Sequence, residues 1–317
     1  MSVNKLLSRI VAPDLVATNY NKLKEGRDEV AAKMHDFTHG ITSDPMAVFA
    51  ITFSALIHDV DHQGVSNTQL IREEPEMGKM YHNKSVAEQN SLDIAWNLLM
   101  STQFDNLRKY IFRTRAEMLR FRQLIVNVVL ATDIFDKELG ALRKSRWDRA
   151  FHGDGRLHKS VVNDLRATIV MEHIIQASDV SHTMQHWHVY TKWNRKLFGE
   201  LYQAWKDDRM EVDPSTFWYQ GELSFFDNYI IPLAKKLKEC NVFGVSSDEY
   251  LGYAERNRAE WEDRGEVIVA EMVEAFNTPE LDMFPAGSSM FSTHSTHSTA
   301  SIESNYSSRS PIQQGLA

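Results

Sequence analysis

The stretch Ile57-His58-Asp59-Val60-Asp61-His62-Gln63-Gly64 follows a largely apolar run from Met46 to Leu56. The composition of that run predicts a buried helix over residues 46–58. Charged groups at the end of such a helix are costly to bury unless they are paired or bind a metal. Imidazole and carboxylate groups together suit zinc, manganese, iron or magnesium. The stretch therefore predicts a metal site where a core helix ends.

His58 and Asp59 are the candidate metal ligands of this stretch. Adjacent side chains on a helix diverge by about 100°, so both reach one ion only near a helix end, where the backbone can turn. We expect Gly64 to end the helix. Asp61 and His62 are then candidates to orient the ligands. The alternative is an exposed, charged helix end, which the doubled Asp-x-Asp-His pattern disfavours.

Two further acids lie in similar settings. Asp179 follows the apolar pair 174–175 near the end of a predicted helix over 160–178, where the helix dipole disfavours an aspartate without a function. Glu88 lies inside an apolar helix predicted over 85–99, and it is a candidate to orient a water on the metal. A solvated helix glutamate is the alternative for Glu88.

Composition narrows the class of protein. The chain has 317 residues with 43% hydrophobic and 25% charged residues, which suits a globular chain with a substantial core. Its formal charge of −8 argues against a nucleic-acid partner, and its one cysteine, Cys240, excludes an intrachain disulfide. We find neither a signal peptide at the start nor a run of the roughly 18 apolar residues that spans a bilayer. We expect a cytoplasmic chain without membrane contact, or the soluble part of a larger membrane-tethered protein.

Helical spacing dominates the chain, and we find no convincing series of period-2 strands, so we predict an all-α fold. An amphipathic helix opens the chain with Val3, Leu6, Leu7 and Ile10. Beyond the helices named above, helical patterns run over 115–132, over a stripe from Leu223 to Leu237 that we expect Pro232 to kink, and over 248–276. We assign residues 1–278 to one domain and 279–317 to a Ser/Thr-rich, disordered tail. The segment 12–45 is expected to form a long loop or short helices.

Six motifs then occur in a fixed order. They are HDVDHQGVSN from His58, Ser85-Val86-x-Glu88, Ala131-Thr132-Asp133, Ala177-Ser178-Asp179-Val180-Ser181, Tyr190-x-x-Trp193, and Phe225-x-Asp-x-x-Ile-x-Pro-Leu. Over roughly residues 1–276 the chain resembles the catalytic domain of class I 3′,5′-cyclic nucleotide phosphodiesterases, within the HD-domain metal hydrolases. The resemblance implies a multi-helix domain with a deep metal-containing pocket. It also implies two divalent ions, Zn²⁺ and Mg²⁺ (or Mn²⁺), and hydrolysis of cAMP or cGMP to the 5′-monophosphate.

The resemblance also implies roles for individual residues. The implied metal ligands are His58, Asp59, which would bridge both ions, and Asp179. The implied shell around the ions and their waters is His62, Glu88 and Thr132. On the substrate side, the resemblance implies purine stacking on Phe225, with Glu222, His182, Ile134 and Tyr229 around the same pocket.

The first departure from the family concerns two histidines. Members carry a motif of the form Tyr-His-Asn-x-x-His-Ala, whose first histidine is the general acid and whose second is a metal ligand. Met1 falls just after the place where this motif is expected, so we expect an N-terminally truncated chain. His35 and His39 are spaced like that pair but lie on the wrong side of the first helix, so we do not expect them to replace it.

The second departure is Glu222, which aligns with the glutamine that hydrogen-bonds the purine. Glutamine both donates and accepts, whereas an ionised glutamate only accepts, so the preference between cAMP and cGMP stays open. His182 stands where many members have asparagine, and Asn90 and Ser91 stand where histidines are frequent. Two alternatives remain: a catalytically impaired module that binds a nucleotide or partner, and an HD hydrolase of another nucleotide, against which the aromatic segment 217–233 argues. The sequence leaves the oligomeric state open.

Overall fold

The computed structural model describes residues 2–10, 32, 34–153, 158–244 and 246–277, and within them it is helical throughout, with no strand. The predicted all-α fold is confirmed. The helices are α1 (Ser2–Leu7), α2 (Pro45–Ile57), α3 (Asn67–Glu73), α4 (Pro75–Met80), α5 (Val86–Met100), α6 (Asp105–Ile111), α7 (Arg115–Leu130), α8 (Lys137–Phe151), α9 (Lys159–Asp179), α10 (Trp187–Lys206), α11 (Trp218–Phe225), α12 (Ile231–Glu239) and α13 (Ser246–Asn277). Short 3₁₀ turns cover Ile41–Ser43, Thr102–Phe104, Ser181–Met184 and Pro214–Thr216.

The helices predicted from apolar spacing agree with this structure. Those over 46–58, 85–99, 115–132, 160–178 and 248–276 correspond to α2, α5, α7, α9 and α13, with ends that differ by at most two residues. Of the predicted segment 12–45, the described part holds the 3₁₀ turn at Ile41–Ser43, and residues 11–31 lie outside the described residues. The predicted tail 279–317 also lies outside them.

Helix α9 lies at the centre of the larger core, and its buried stretch includes Glu172, His173 and Gln176 as well as apolar residues. Residues Ile169 to Ala177 are buried without interruption. Helices α1, α2, α7, α8 and α12 all pack against α9. The helix ends at Asp179, and this position carries the carboxylate from the core to the edge of the helix bundle.

A second apolar cluster fixes the end of α2. Phe121, Ile125 and Val129 of α7 are buried against Ala50 and Ile57 of α2, together with residues of α5. Helix α7 is well defined at its start, where Thr114 and Glu117 form a reciprocal capping box. Because Ile57 is the last residue of α2, this cluster also positions His58, the residue that follows.

The predicted stripe from Leu223 to Leu237 contains a local irregularity. A single π-helical turn at Phe226–Ile230 separates α11 from α12, and Pro232 lies at the start of α12. Proline lacks an N–H and its ring crowds the carbonyl four residues earlier, and a widened turn relieves both problems. The π-helical turn before Pro232 therefore accommodates the proline within the helix.

Candidate active site

His58 lies at the point where α2 ends. Asp44 caps the start of α2, since its carboxylate accepts hydrogen bonds from the backbone N–H groups of Met46 and Ala47. At the other end His58 is the C-cap residue, and its Nδ1 lies 3.2 Å from the Ala55 carbonyl oxygen. Nδ1 carries the proton in this contact because a carbonyl can only accept. In the neutral imidazole the lone pair is therefore on Nε2, the tautomer that a metal ligand needs.

The loop after His58 turns at Asp61, not at Gly64 as predicted. Asp61 adopts a left-handed conformation with φ of 63°, which aspartate tolerates better than most residues. Gln63 Nε2 donates to the Asp61 carbonyl at 3.0 Å, and Asn90 Nδ2 donates to Asp61 Oδ2 at 3.2 Å. Ser91 Oγ donates to the Val60 carbonyl at 2.7 Å. Asn90 and Ser91 of α5 thus hold the turn by side-chain hydrogen bonds.

Gly64 has a different role from helix termination. Its φ is 70°, and a Cβ at this position would lie 3.1 Å from Glu200 Oε1 of α10. The glycine therefore allows the loop to pass close to α10. Arg209, which follows α10, donates to the neighbouring Gln63 carbonyl at 3.1 Å and also pairs with Glu73.

His58, Asp59 and Asp179 come together, as the sequence predicted for the metal ligands. His58 Nε2 lies 3.1 Å from Asp59 Oδ2 and 3.5 Å from Asp179 Oδ1, and one ligand atom from each residue lies within 4.8 Å of the others. The Asp59 and Asp179 side chains are 62% and 41% exposed, so the cluster is open to solvent on the carboxylate side.

The cluster fits a divalent ion. His58 Nε2 is buried, and among the described residues it has no partner in hydrogen-bonding geometry, although two carboxylate oxygens face it. Two carboxylates that face this nitrogen need a positive charge beside them, which either a divalent ion or a proton on Nε2 supplies. Two ligand atoms about 2.0–2.2 Å from one ion lie roughly 3 Å apart, close to the separations seen here. Without an ion, burial lowers the pKa of His58, but Asp179 and Asp59 outweigh burial and raise it to about 10.

His62 lies next to this cluster. Its Nδ1 accepts a hydrogen bond from the Gly64 backbone N–H at 3.1 Å, so a neutral imidazole here carries its proton on Nε2. The ring is exposed and lies within electrostatic range of Asp59 and Glu88. The structure thus places His62 as an N–H donor beside a ligand and beside the predicted shell residue Glu88.

Glu88 belongs to a polar network that sequence reasoning missed. Asn67 Nδ2 donates to Glu88 Oε2 at 3.0 Å and lies 3.5 Å from Asp133 Oδ2, and its Oδ1 accepts from the Ala87 N–H. Ser85 Oγ donates to Asp133 Oδ2 at 2.7 Å. Burial and the charge of Asp133 raise the pKa of Glu88 against the opposing hydrogen bond from Asn67. The one available signal was Asn67 itself, the last residue of the first motif.

Thr132 lies at the end of α7, next to Asp133. Its hydroxyl donates to the Val129 carbonyl at 2.7 Å. Gln176 of α9 donates to the Ala131 carbonyl at 2.8 Å, which ties this helix end to the helix that carries Asp179. The structure thus fixes Thr132 relative to the ligand helix. The predicted pocket residue Ile134 is half-buried in the loop that follows.

Glu222 is buried behind α10. Tyr190 donates its hydroxyl proton to Glu222 Oε2 at 2.7 Å, and the amide of Asn194 donates to Tyr190 Oη at 3.4 Å. Trp218 Nε1 in turn donates to Asn194 Oδ1 at 3.2 Å. Burial raises the pKa of Glu222 to about 7, against the effect of the Tyr190 hydrogen bond.

Aromatic residues connect Glu222 with the ligand cluster. Phe225, one helical turn after Glu222, stacks on Tyr229 with ring centroids 5.3 Å apart. Burial and the charge of Asp179 raise the pKa of Tyr229, so the phenol lies near that ligand. His182 lies parallel to Tyr190 at 6.3 Å. The predicted substrate residues Glu222, Phe225 and His182 thus lie along one path that leads to Asp179.

His35 and His39 lie elsewhere. His35 Nδ1 is 2.6 Å from the Ser43 hydroxyl. Burial, together with the charge of Arg166, lowers the pKa of His39 to about 4, and the backbone of Cys240 at the end of α12 is also nearby. These neighbours place His39 at the other end of α9 from Asp179, so the two histidines do not join the ligand cluster.

Comparison with known proteins agrees with this geometry. Residues 29–243, more than half of the chain, match the family model of 3′5′-cyclic nucleotide phosphodiesterases. The chain belongs to this family. Dependence on divalent metal is a property of the phosphodiesterases, and the cluster of His58, Asp59 and Asp179 is the candidate metal-binding group in this member.

Individual phosphodiesterases show how much of a larger protein this chain represents. It is 27% identical over 226 residues to "Probable 3′,5′-cyclic-AMP phosphodiesterase pde-4" of Caenorhabditis elegans, which covers 68% of this chain and 32% of that protein. It is 26% identical over 193 residues to the "Dual specificity calcium/calmodulin-dependent 3′,5′-cyclic nucleotide phosphodiesterase 1B" of Bos taurus. That match covers 58% of this chain and 34% of the relative. The chain thus spans about a third of the length of these relatives.

A solved structure confirms the fold. The phosphodiesterase domain of the RhoPDE fusion protein from the choanoflagellate Salpingoeca rosetta superposes with a TM-score of 0.58 at 20% identity. The match covers 76% of this chain and 77% of that domain. Among the described helices, none combines the length and the apolarity needed to cross a bilayer.

Proposed function

We propose that this phosphodiesterase domain hydrolyses 3′,5′-cyclic nucleotides, cAMP or cGMP, to 5′-monophosphates in second-messenger signalling. The observation that carries the proposal is the buried Nε2 of His58, which faces the carboxylates of Asp59 and Asp179 while Nδ1 is engaged by the Ala55 carbonyl. One imidazole and two carboxylates suit a divalent cation that is to act on a phosphate ester.

We propose that His58, Asp59 and Asp179 would help to hold two divalent ions, Zn²⁺ and Mg²⁺ or Mn²⁺. The mixed nitrogen and oxygen set of His58, Asp59 and Asp179 suits zinc, and carboxylate oxygens with water suit magnesium or manganese. Bound divalent cations make water more acidic and neutralise the charge of the phosphate. Three protein side chains cannot complete the coordination of two ions, so positions would remain open for water and substrate.

The surrounding residues handle protons and position water. In the reaction a water oxygen bonds to phosphorus as the bond from phosphorus to the 3′ oxygen breaks, and overall the proton that the water loses replaces phosphorus on the 3′ oxygen. Asn67 holds Glu88 beside the cluster, where its carboxyl can accept a hydrogen bond from the attacking water. His62 offers an N–H on the same side because its Nδ1 is occupied by Gly64. Thr132 extends this shell from the end of α7.

The residues along the path from Asp179 to Glu222 determine the orientation in which the substrate binds. We place the cyclic phosphate at the ligand cluster and the purine between Phe225 and the residues around Glu222. Tyr229 lies between the two ends, since it stacks on Phe225 and lies near Asp179. Ile134 and His182 flank this path. An aromatic wall of this kind favours a nucleoside monophosphate with a planar base over a simple phosphate ester.

We also propose that the domain works in the cytoplasm, where cyclic nucleotides act as second messengers. Its one cysteine, Cys240, is buried and unpaired, which suits a reducing compartment.

A substrate panel tests the proposal. The protein is incubated with Mg²⁺ or Mn²⁺ and equal concentrations of 3′,5′-cAMP, 3′,5′-cGMP, 2′,3′-cAMP and dGTP, and products are separated by chromatography. We expect 5′-AMP or 5′-GMP from the 3′,5′-cyclic substrates alone. Preferential turnover of dGTP would assign the domain to a different hydrolase reaction. Binding of cyclic nucleotides without turnover would make it a nucleotide-binding module.

A further inference from the structure

The carboxyl of Glu222 has an unusual environment for a glutamate. Its side chain is buried, and the network beside it has a single direction: Trp218 donates to Asn194, Asn194 donates to Tyr190, and Tyr190 donates to Glu222 Oε2. Each residue in this series donates its hydrogen to the next one. The hydroxyl of Tyr190 therefore fixes Oε2 as an acceptor, and Oε1 is the oxygen that a ligand can meet.

Glu222 also lies on the proposed path of the substrate. Residues three apart on a helix share a face, so Glu222 and the stacking residue Phe225 project together from α11. Phe225 continues through Tyr229 to the region of Asp179. A base that stacks on Phe225 therefore places its polar edge within reach of this carboxyl.

We propose that Glu222 reads the purine as a neutral carboxylic acid, so that binding of the cyclic nucleotide is coupled to the uptake of a proton. The inference rests on the proposed function, because it takes a purine nucleotide as the ligand of this site. It makes Glu222 a specificity-determining residue whose hydrogen-bonding character changes with pH.

The chemistry of the bases supports this assignment. Adenine presents an N–H donor beside the acceptor N1, and guanine presents the acceptor O6 beside an N1–H donor. An ionised carboxylate offers acceptors only, so it leaves adenine N1 or guanine O6 opposite a negatively charged oxygen. A neutral carboxyl keeps Oε2 as the acceptor for Tyr190 and presents an O–H donor at Oε1, which can bond to adenine N1 or to guanine O6. Leaving a buried acceptor unpaired costs affinity, so the ligand favours the protonated form.

The surroundings of Glu222 allow this protonation near neutral pH. Burial raises its pKa to about 7, while the hydrogen bond from Tyr190 and the nearby amide of Asn194 act in the opposite direction. His182, of the 3₁₀ turn at Ser181–Met184, lies parallel to Tyr190, and burial keeps its ring neutral by lowering its pKa to about 4.

Among the described residues, the side chains that shift the pKa of Glu222 are Tyr190 and Asn194, and both are neutral. From α13, Trp261, Glu262 and Gly265 meet Tyr219, and Glu262 does so through its backbone carbonyl while its carboxylate pairs with Arg258. The nearby charges of α13 and the π-helical turn, Arg258 and Asp227, pair with each other at the surface. Asp213, before the 3₁₀ turn at Pro214–Thr216, is engaged by the backbone of that turn.

Isothermal titration calorimetry measures how many protons the protein takes up when the nucleotide binds. A phosphorothioate analogue of cAMP, chosen to resist hydrolysis, is titrated into the metal-loaded protein in buffers of different ionisation enthalpy, at pH 6 and pH 8, on either side of the pKa of about 7. The dependence of the observed heat on the buffer gives the protons taken up. The matched variant is Glu222→Gln, which keeps the shape and the acceptor for Tyr190 but does not titrate.

We expect uptake approaching about one proton per nucleotide at pH 8 and much less at pH 6 in the natural protein, and none in Glu222→Gln. The affinity of the natural protein should fall by up to about tenfold per pH unit above pH 7, while that of Glu222→Gln stays flat. Tyr190→Phe provides a second test, because loss of its hydrogen bond should move this fall in affinity to higher pH.

Two results would overturn the inference in distinguishable ways. Nucleotide binding with the same proton uptake in the natural protein and in Glu222→Gln would remove the role of Glu222 and leave the proposed function intact. Absence of nucleotide binding by both proteins at both pH values, with the metal shown to be bound, would refute the proposed function together with the inference.

Discussion

His58 Nε2 and Asp179 Oδ1 lie 3.5 Å apart, although the two residues end different helices, α2 and α9. Each helix is held in the core by apolar residues that end just before the ligand. Packing of α9 on α2 and α7 therefore decides the distance between the two ligands. The cluster is a product of the long-range fold, with only Asp59 supplied by the local sequence next to His58.

Asp179→Asn should weaken divalent-ion binding by on the order of 100-fold or more, because it removes one of two negative charges that face His58 Nε2 while keeping the size of the side chain. Titration with Mn²⁺, followed by electron paramagnetic resonance, gives the dissociation constant. The matched control is Asp227→Asn, which removes a surface charge paired with Arg258. Equal Mn²⁺ affinity in Asp179→Asn and in the control would remove Asp179 from the metal site.

Asn67→Asp should destabilise the fold by about 1–3 kcal/mol at pH 7, because it replaces the donor shared by Glu88 and Asp133 with a third carboxylate. The carboxyls in the variant gain protons more readily in the folded state than in the unfolded state. The stability of Asn67→Asp relative to the natural protein should therefore rise as the pH falls towards 5. Urea unfolding at both pH values measures this.

The control for this variant is Asn127→Asp. Asn127 accepts a hydrogen bond from Gln123 near the surface, and an aspartate can accept it equally well. A loss of stability in Asn67→Asp no greater than that of the control would show that the donor from Asn67 does not hold Glu88.

Acid should destabilise the protein through His173. This residue is buried against Trp147, and burial lowers its pKa from 6.5 to about 4. Between these pH values the unfolded chain binds a proton that the folded chain does not, so stability decreases as the pH falls from 6.5 to 4, by roughly 3 kcal/mol at most from this group. Thermal unfolding of His173→Asn should depend less on pH in this range than that of the natural protein. The exposed His188→Asn serves as the control, and an equal pH dependence in both variants would contradict the assignment.

Phe225→Ala should raise the KM for cAMP and for cGMP by roughly 5- to 150-fold, with a smaller effect on kcat, because stacking on a base contributes about 1–3 kcal/mol and differs little between purines. Steady-state kinetics with both nucleotides measures this. Tyr110→Ala, which removes an aromatic ring that is 86% exposed on α6, should leave KM unchanged. A loss confined to kcat would place Phe225 away from the base.

The sequence predicted the helices, and it singled out His58, Asp59 and Asp179 as candidate ligands, because both inferences use local signals. Apolar spacing gave the bounds of α2, α7 and α9 closely, and the polar end of α2 identified His58 and Asp59. The end of α2 was wrong in detail, since Asp61, and not Gly64, turns the chain. The sequence shows an aspartate at position 61 but does not show that its backbone is left-handed. That conformation depends on hydrogen bonds from Gln63 and Asn90.

The polar networks could not be predicted for a related reason. Asn67 meets Glu88 and Asp133 only after α3, α5 and the end of α7 have packed, and no periodicity links these positions. The same is true of Tyr190 and Glu222, which come from α10 and α11. Sequence patterns indicate which residues are polar within apolar helices, but the folded packing decides which donor each carboxyl receives.

Hydrolysis of 3′,5′-cyclic nucleotides by the metal-loaded protein is the most direct test of the central claim. The protein is first shown by Mn²⁺ titration to be loaded, then given cAMP or cGMP with and without chelator, alongside His58→Ala. We predict formation of the 5′-monophosphate that stops when chelator is added and is strongly reduced in His58→Ala. Absence of product from the loaded protein, or turnover that persists in both chelator and His58→Ala, would contradict a metal-dependent phosphodiesterase site built on His58, Asp59 and Asp179.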